Sequence, residues 1–247
     1  MDTNPLFSIL TATRNGAKYI KECIESVIKQ DYKSWEMIIC DDASKDDTYN
    51  IIIDVAKNHE NIKVLHNIEQ LRCGMNYNRI LSMATGKYCG VLDGDDKLTP
   101  NAISTVVKAY ESNPKIDFIW TQHYWCNDSM TKCKMGISKQ AMRGTIYNSE
   151  GDSLRQHVYS HWRTFKTDMK RYGTLFRDLP CAVDKDLGYS LEEIGKGAFL
   201  NKPLYFYRYH KTNMSRTKST ILLQKVTWKN VRIYHKHRHR HKSTVLS

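Results

Sequence analysis

Long hydrophobic runs are missing from this 247-residue sequence, in which 40% of the residues are hydrophobic and 26% are charged. No stretch reaches the roughly 18 consecutive apolar residues that a membrane-spanning helix needs. The first residues, MDTNPLFSIL, lack the basic region and apolar core of a secretory signal peptide. These absences, with an otherwise ordinary composition, predict a globular chain with one large domain and no membrane-spanning helix.

Paired cysteine motifs and glycine-rich phosphate loops are also missing. The seven cysteines occur at irregular spacing and none forms a CxxC pair. This usage is typical of reduced thiols, so we expect free cysteines in a cytoplasmic protein. Neither GxxxxGK followed by Ser or Thr, nor GxGxxG after a strand, occurs in the sequence. The phosphate loops of P-loop NTPases and dinucleotide-binding folds are therefore not expected.

Acidic residues are absent from residues 201–247, which contain 12 Lys and Arg. The first 200 residues hold 26 basic and 26 acidic side chains, so the whole net charge of +12 lies in the last fifth of the chain. This asymmetry predicts a polyanionic partner. We expect a basic amphipathic helical tail at 217–247, disordered or peripheral on an anionic membrane surface. Helical packing against the rest of the chain is the second alternative, and nucleic-acid binding is not favoured.

Apolar runs alternate with stretches of helical spacing through the first half of the chain. The spacing predicts strands at 7–12, 35–42, 62–67, 87–96 and 117–125, and helices at 17–31, 44–59, 73–85 and 100–112. Ser44 is the expected N-cap of the second helix, with Asp47 as its N3 acid. Such alternation predicts an α/β fold with a mostly parallel sheet flanked by helices. Ligands bind such sheets at the carboxyl ends of the strands, which places TATRN, CDDAS and LDGDD at one edge.

Three carboxylates, Asp93, Asp95 and Asp96, crowd into VLDGDDKL at residues 91–98. Like charges raise one another's pKa unless a cation lies among them, and Mg²⁺ or Mn²⁺ suits oxygen ligands. A solvated turn is the alternative, since Asp, Gly and Lys are common turn residues. The pair Asp41 and Asp42, at the end of another predicted strand, favours the metal site.

Five motifs in order resemble a family-2 glycosyltransferase with the GT-A fold: FSILTATRN, DDASKDDT, NRILSMATG followed by KYCGVLDGDD, AVDKDL and YRYHKTNMS. The resemblance implies a Rossmann-like GT-A catalytic domain at residues 1–216. Its nucleotide-sugar half is expected at about 1–125 and its acceptor half at about 126–216. It further implies inverting, metal-dependent transfer of a hexosyl or N-acetylhexosaminyl group. The donor would be a nucleotide-diphosphate sugar, commonly a UDP-sugar, and the acceptor a hydroxyl of a glycan or lipid-linked molecule in polysaccharide or glycoconjugate synthesis.

The resemblance also implies roles for single residues. Asp184 matches the general base, and Mn²⁺ or Mg²⁺ is expected on Asp95, Asp96 and His210, with Asp96 the favoured direct contact. Asp42 matches the aspartate that binds uracil, beside a structural Asp41. The full set expected to contact the nucleotide-sugar is Ala12, Thr13, Asn15, Asp42, Asn78, Asp93, Asp95 and Arg208. Three positions depart from the family pattern. Arg14 replaces an aromatic residue, Tyr77 replaces an arginine, and Val183 replaces a glutamate.

Elementary chemistry supports these roles and leaves alternatives open. A hydroxyl that attacks an anomeric carbon needs a base for its proton, and a divalent ion or arginine can stabilise the departing diphosphate. Asp184 could instead be a first-turn acid of a helix, and Arg208 with His210 a solvent-facing pair. Residues 161–163, HWR, either line an acceptor pocket or begin a packed helix. The competing functions are a nucleotidyltransferase and a non-catalytic anion- or membrane-binding module.

Overall fold

The structure is a computed structural model that describes residues 4–136, 161–211 and 213, together with Leu223, Val226, Thr227, 229–231 and Tyr234. Its strands are β1 (Phe7–Thr13), β2 (Trp35–Asp41), β3 (Ile62–His66), β4 (Tyr88–Val91), β5 (Lys97–Leu98), β6 (Phe118–Asn127), β7 (Cys133–Met135), β8 (Arg163–Lys166) and β9 (Gly197–Tyr209). Its helices are α1 (Ile20–Ile28), α2 (Thr48–Ala56), α3 (Cys73–Ser82), α4 (Ala102–Ser112) and α5 (Val183–Ile194), with a 3₁₀ helix at Thr167–Tyr172.

The described strands form one sheet in the order β3-β2-β1-β4-β8-β6-β9-β5, and β7 pairs with β6. Its first part is parallel, because β1 pairs in parallel with β2 and β4, and β2 with β3. Further along, β8 runs antiparallel to β4 and β6, so the sheet as a whole is mixed. The chain steps outward from β1 to β3 and then crosses to β4, so the strand order reverses between β1 and β4. Open α/β sheets bind ligands at such a point.

Hydrophobic side chains cover both faces of the parallel strands, as the continuous apolar runs predict. Successive residues of β1 point to opposite faces, so Ile9 joins one buried cluster and Leu10 the other. Every residue of β2 is buried, since helices pack on both its sides. The predicted α/β class is therefore confirmed; β2, β3 and β4 lie within the predicted ranges, and β1 extends one residue beyond its range, to Thr13.

The predicted start of the second helix is wrong. Helix α2 begins at Thr48 rather than near Ser44, and its N-cap residue is Asp47. Ser44 makes other contacts: its hydroxyl donates to Asp41 and accepts a hydrogen bond from the backbone nitrogen of Asn15 at 2.8 Å. Ser44, which the local sequence predicts as an N-cap, therefore connects the loops that follow β1 and β2 instead.

One central strand of the sheet was not predicted from the sequence. Residues 163–166 form β8 between β4 and β6, and the preceding Trp162 is fully buried against Phe7. The alternative of a helix start at this place is wrong. A strand of only four residues, RTFK, carries too few positions to show an alternating pattern.

Two cysteines are bonded, which corrects the expectation that all seven are reduced. Cys126 of β6 lies opposite Cys133 of β7 in the antiparallel register, and their sulfurs form a disulfide. The pairing depends on this hairpin register, which cysteine spacing alone does not reveal. The remaining described cysteines are free, and all but the partly buried Cys73 are buried.

Among the described residues of the tail, Thr227 and Val231 are buried against the main body of the protein, whereas Leu223 and Val226 are exposed. They are helical, and Val231 is buried in the cluster that contains Phe176 and Leu187. The Arg177 guanidinium lies 3.8 Å from the centre of the Tyr234 ring. Here the second alternative, helical packing, describes the chain better, and the remainder of 217–247 lies outside the described residues. Across the described part of the chain, no helix combines the length and apolar character needed to cross a membrane.

Candidate functional site

The carboxylate loop, residues 93–96, leaves the end of β4 and crosses the end of β1. A Cβ atom on Gly94 would lie 2.8 Å from Thr13 Oγ1 and 2.9 Å from Thr13 Cβ. Real Cβ atoms essentially never come so close to another heavy atom, so this approach of the two strand ends requires glycine. Thr13 and the three aspartates, which the sequence predicts at one edge, therefore meet at the point where the strand order reverses.

Gly94→Ala should displace this loop and weaken the binding of UDP, the nucleotide that the resemblance implies. Overpacking of about 1–3 kcal/mol corresponds to a loss of roughly 5- to 150-fold, measured by calorimetry with UDP and Mn²⁺. Thr13→Gly removes both crowding atoms, so the double variant should bind like Thr13→Gly alone. Unchanged binding by Gly94→Ala would show that the close approach has no importance for the nucleotide.

The three carboxylates of the loop have different surroundings. Asp93 accepts a hydrogen bond from the Tyr77 hydroxyl at 2.9 Å. Asp96 is 1% exposed and accepts bonds from the Tyr205 hydroxyl at 2.8 Å and the Arg208 backbone nitrogen at 2.7 Å. Asp95 keeps a side chain that is 34% exposed, and its Oδ2 lies 2.9 Å from His210 Nε2. The loop therefore has two partly exposed carboxylates, Asp93 and Asp95, and one buried carboxylate, Asp96, and protein hydroxyl and amide groups anchor Asp93 and Asp96.

Burial and mutual repulsion make this cluster electrostatically unfavourable without a cation. Burial, and after it the charge of Asp95, raises the pKa of Asp93 to about 6. Burial and the charges of Asp95 and Asp93 raise the pKa of Asp96 well above its ordinary value. A divalent cation among these groups would favour their ionised forms. The cluster thus has the electrostatics of a metal or diphosphate site rather than of a solvated turn.

The donor atoms fit a divalent cation of the Mn²⁺ or Mg²⁺ type. Asp95 and His210 present an oxygen and a nitrogen 2.9 Å apart, and one ion could contact both. A second set consists of Asp93, Asp96 and His161, whose ligand atoms all lie within 4.8 Å of one another. Both oxygens of Asp96 already accept protein hydrogen bonds, so Asp95 with His210 is the set in which a partly exposed carboxylate and an imidazole are in direct contact.

Arg208 fastens the carboxylate loop to the rest of the site. Its side chain is buried, and Nε donates to the backbone oxygen of Asp95 at 2.7 Å. The other guanidinium nitrogens bond Glu22, at 3.0 Å, and the backbone oxygen of Asp128. The arginine is therefore not part of a solvent-facing pair. Its direct contact with a donor diphosphate stays a prediction.

The loops after β1 and β2 hold each other through predicted site residues. Asn15 Oδ1 accepts a bond from the backbone nitrogen of Lys45 at 2.9 Å. Asp42 accepts bonds from Asn67 and from the backbone nitrogen of Leu71, both at 2.8 Å, and from that of Arg72 at 3.1 Å. A carboxylate accepts about four hydrogen bonds, so Asp42 keeps capacity for one further donor such as a nucleobase N–H.

Two further residues of this edge lie beside the loops. Ala12 is in β1, opposite Cys40. It is partly buried and packs against the hydrophobic cluster that contains Leu10. Asp41 is fully buried, contacts Ser44 and lies 3.0 Å from His66 Nδ1, as expected of a structural residue.

The predicted base, Asp184, lies at the start of α5 and is near enough to the carboxylate loop to raise the pKa of Asp93 electrostatically. Asn78 of α3 braces the preceding segment: its amide bonds both the oxygen and the nitrogen of the Phe176 backbone. The contact of Asn78 with the nucleotide-sugar stays a prediction. Asp184 is the second residue of α5, and its side chain remains 51% exposed.

Arg163 of β8 holds Asp184. Its guanidinium donates to Asp184 Oδ2 at 3.0 Å and is almost fully buried. Desolvation alone would raise the pKa of Asp184, but the charges of Arg163 and Lys185 outweigh it and hold that pKa below its ordinary value. The same arginine lowers the pKa of Asp93 electrostatically, so it serves both carboxylate groups. Asp184 is therefore ionised and accessible at neutral pH, as a proton acceptor must be.

Sequence reasoning missed Tyr77 and Tyr205 as parts of the site, and it raised Arg163 only as a candidate for an acceptor pocket and not as the partner of Asp184. Tyr77 carried a signal, because it stands where the family often has arginine. A neutral hydroxyl bond to Asp93 takes the place of a cation there. Arg163 and Tyr205 carried none, since each reaches its aspartate only through the order of strands in the sheet.

Residues 8–182 match the family model described as Glycosyl transferase family 2. The chain belongs to glycosyltransferase family 2. Among its relatives in this family, the chondroitin synthase of Escherichia coli is 28% identical over 218 residues, which are 88% of this chain and 31% of that protein. The chain thus spans less than a third of the length of this curated relative.

Solved structures share the fold of this family-2 chain. S. aureus TarS in complex with UDP-GlcNAc aligns with a TM-score of 0.66 and 20% identity, over 84% of this chain and 59% of that one. A mannosyltransferase from Pyrobaculum calidifontis, in complex with GDP-Man and Mn²⁺, aligns with a TM-score of 0.64 and 18% identity, over 86% and 59% of the two chains. The predicted GT-A fold and family are confirmed.

Proposed function

We propose that this chain moves a hexosyl or N-acetylhexosaminyl group, with inversion, from a nucleotide-diphosphate sugar to an acceptor hydroxyl. One observation carries the proposal. The partly exposed carboxylate of Asp95 and the buried imidazole of His210 share a site with an ionised base, Asp184, and Arg163 acts electrostatically on both Asp93 and Asp184. This arrangement provides one base for the proton of the acceptor hydroxyl and one cluster of side chains for the leaving diphosphate, as a single displacement requires.

The reaction needs three events. The acceptor oxygen bonds to the anomeric carbon, the bond from that carbon to the diphosphate breaks, and the hydroxyl proton passes to Asp184. The electron pair leaves with the nucleoside diphosphate. A divalent cation held by Asp95 and His210 would supply charge stabilisation for that leaving group. Asp93 and Asp96, both anchored by tyrosine hydroxyls, would fix the loop around the donor.

The nature of the donor is supported by the solved relatives, of which one holds UDP-GlcNAc and another GDP-Man with Mn²⁺. We favour a UDP-sugar, with Thr13, Asn15 and Asp42 near the base and ribose. The catalytic unit would extend over residues 1–216, with the donor in its first half and a glycan or lipid-linked acceptor in its second half. Polysaccharide or glycoconjugate synthesis is the corresponding role.

The cellular location belongs to the proposal as well. A cytoplasmic protein that touches anionic lipid through basic residues of 217–247 fits the charge asymmetry. The Cys126–Cys133 disulfide is a feature that oxidising compartments favour, and it is the observation that stands against this location.

Metal dependence gives the direct test. Calorimetry should show UDP binding with Mn²⁺ or Mg²⁺ and at least about tenfold weaker binding after chelation, since a divalent ion neutralises charge between carboxylates and diphosphate. Asp95→Asn and His210→Ala should each reduce the metal-dependent gain by roughly 10- to 100-fold. His59→Ala, on the loop before β3, is the matched histidine control. Equal UDP affinity with and without metal would contradict the metal role.

A further inference from the structure

A groove of about 730 Å³ opens between the β6–β7 hairpin and the end of β9. Trp125 and Tyr209 form its aromatic wall, and Lys132 and Lys134 belong to its hairpin side. The disulfide of this hairpin, Cys126–Cys133, lies in the wall as well. None of the residues assigned above to donor, metal or base lines the groove, so it is a separate feature.

The aromatic wall is unusually exposed for side chains of this size. Trp125 is 41% and Tyr209 is 40% exposed, and their rings meet edge to face with centres 5.4 Å apart. Large apolar side chains exposed together in a groove mark a place of interaction. Flat aromatic faces with polar tips suit sugar rings, whose axial C–H groups pack on the ring while their hydroxyls stay solvated.

A row of rings connects this wall with the carboxylate loop. Tyr205, Tyr207 and Tyr209 point to one face of β9, because side chains alternate along a strand. At the inner end, the Tyr205 hydroxyl bonds Asp96 and accepts a bond from the backbone nitrogen of Asp93. The ring of His161 stacks on both Tyr205, at 4.8 Å, and Tyr207, at 4.9 Å.

The register of the sheet carries the row outward. Trp125 of β6 is the register partner of Tyr207, and their ring centres are 6.2 Å apart. From Tyr205 to Tyr209 the strand spans about 13 Å, which exceeds the length of one hexose. Tyr205 itself is fully buried, so sugars could pack on Trp125, Tyr207 and Tyr209, and this exposed part of the row leads from the groove toward the carboxylate loop.

The charge of the groove selects among sugar chains. Lys132 and Lys134 both line it, and Lys134 Nζ lies 5.7 Å from the centre of the Trp125 ring. Among the described residues that line the groove, none is acidic. Ammonium groups beside a stacking surface favour a pyranose that itself carries an anion. A phosphate-linked alditol chain would supply the anion but no ring to stack.

We propose that this groove binds the non-reacting units of an acidic polymeric acceptor, a glycan whose pyranose rings carry carboxylates. The inference rests on the proposed function and names its acceptor class. Trp125 and Tyr209 stack on the rings, and Lys132 and Lys134 pair with the carboxylates. The terminal hydroxyl of the same chain reaches Asp184 along the row of rings.

The test measures binding of two oligosaccharides to the whole chain. Hyaluronan octasaccharide carries carboxylates, and chitin octasaccharide is its neutral counterpart. The native protein should bind hyaluronan at least about tenfold more tightly at low salt, with the difference shrinking as salt rises. Trp125→Ala should weaken both sugars by about tenfold, whereas Trp125→Phe, which keeps a ring, should weaken them by less than about threefold.

The lysines and the donor site provide the separate readouts. Lys132→Gln with Lys134→Gln should weaken hyaluronan binding by about tenfold and chitin binding by less than about twofold. Lys33→Gln with Lys108→Gln, on other surfaces, should change neither. UDP binding with Mn²⁺ should be native in every variant. If sugar binding does not follow these expectations while UDP binding is native, only the acceptor inference is wrong. If the native protein does not bind UDP, the result counts against the proposed function instead.

Three results would overturn the inference. In one, Trp125→Ala binds hyaluronan as the native protein does. In another, the lysine variants lose both sugars equally. In the third, the native protein binds neither sugar and has the mass of a dimer in solution, which would make the groove an interface between two copies.

Discussion

Asp184→Asn is expected to reduce kcat by about 10²- to 10⁴-fold, which is the contribution of a positioned general base. The asparagine keeps the size of the side chain and can still accept the bond from Arg163, which is 3.0 Å long in the native protein. It cannot take the proton of the acceptor hydroxyl. The fall should therefore appear in kcat, measured as release of nucleoside diphosphate at saturating donor and acceptor.

Binding of the donor separates this role from a structural one. UDP affinity with Mn²⁺ should change by less than about twofold, because Asp184 lies on α5 and not on the carboxylate loop. Asp186→Asn is the matched control on the same helix. Asp186 is fully buried and accepts bonds from Arg177 Nε at 2.8 and 2.9 Å, so its loss should lower the melting temperature while the folded enzyme keeps its kcat. Transfer at the native rate by Asp184→Asn would refute the assignment of the base.

The sequence predicts the donor-side half of the site because its signals are local. Strands β1, β2 and β4 are continuous apolar runs, and each ends in polar residues, so the rule for parallel sheets places Thr13, Asp42 and Asp93 at one edge. Gly94 between two aspartates indicates a close approach, which the contact with Thr13 explains. Local pattern and general topology are sufficient here, since each strand is long enough to show its period.

The second half was less accessible to prediction because its contacts are distant in sequence. Arg163 lies on a strand of four residues, and its partner Asp184 is 21 residues away. Tyr205 reaches Asp96 across 109 residues, through the pairing of β5 with β9. No periodicity encodes such a meeting. It follows from the order β4-β8-β6-β9-β5, which the sequence leaves open.

The structure also divides residues that the motifs treat alike. Asp93, Asp95 and Asp96 are identical in type, yet Asp96 is buried, whereas Asp93 and Asp95 are partly exposed and Asp95 lies against His210. Asp96, favoured from sequence as the direct metal contact, accepts bonds through both oxygens from Tyr205 and Arg208 and also belongs to the group with Asp93 and His161, so its metal contact stays a prediction. Burial decides between a ligand and an anchor, and a motif of adjacent residues does not report burial.

Arg163→Met is expected to move the acid limb of the pH–rate profile to higher pH. Arg163 and Lys185 hold the pKa of Asp184 below its ordinary value against the opposing effect of desolvation. Removing the arginine charge lets desolvation and the neighbouring carboxylate of Asp93 raise that pKa. Since only ionised Asp184 accepts a proton, the variant should lose most activity at acidic pH and recover as pH rises.

The conservative variant and the binding step make this test specific. Arg163→Lys keeps a charge near Asp184, so its acid limb should lie between those of the native enzyme and Arg163→Met, although it loses the planar bond geometry. Arg163 also lowers the pKa of Asp93, an effect that belongs to donor binding. Profiles of kcat at saturating donor isolate Asp184, whereas the pH dependence of UDP affinity reports Asp93.

An acid limb of kcat identical in the native enzyme and Arg163→Met would mean that the arginine orders the fold without tuning the base. A coincident shift in both profiles would assign its effect to the whole carboxylate cluster, because a single buried guanidinium within reach of two acids acts on both, and more strongly on the nearer one.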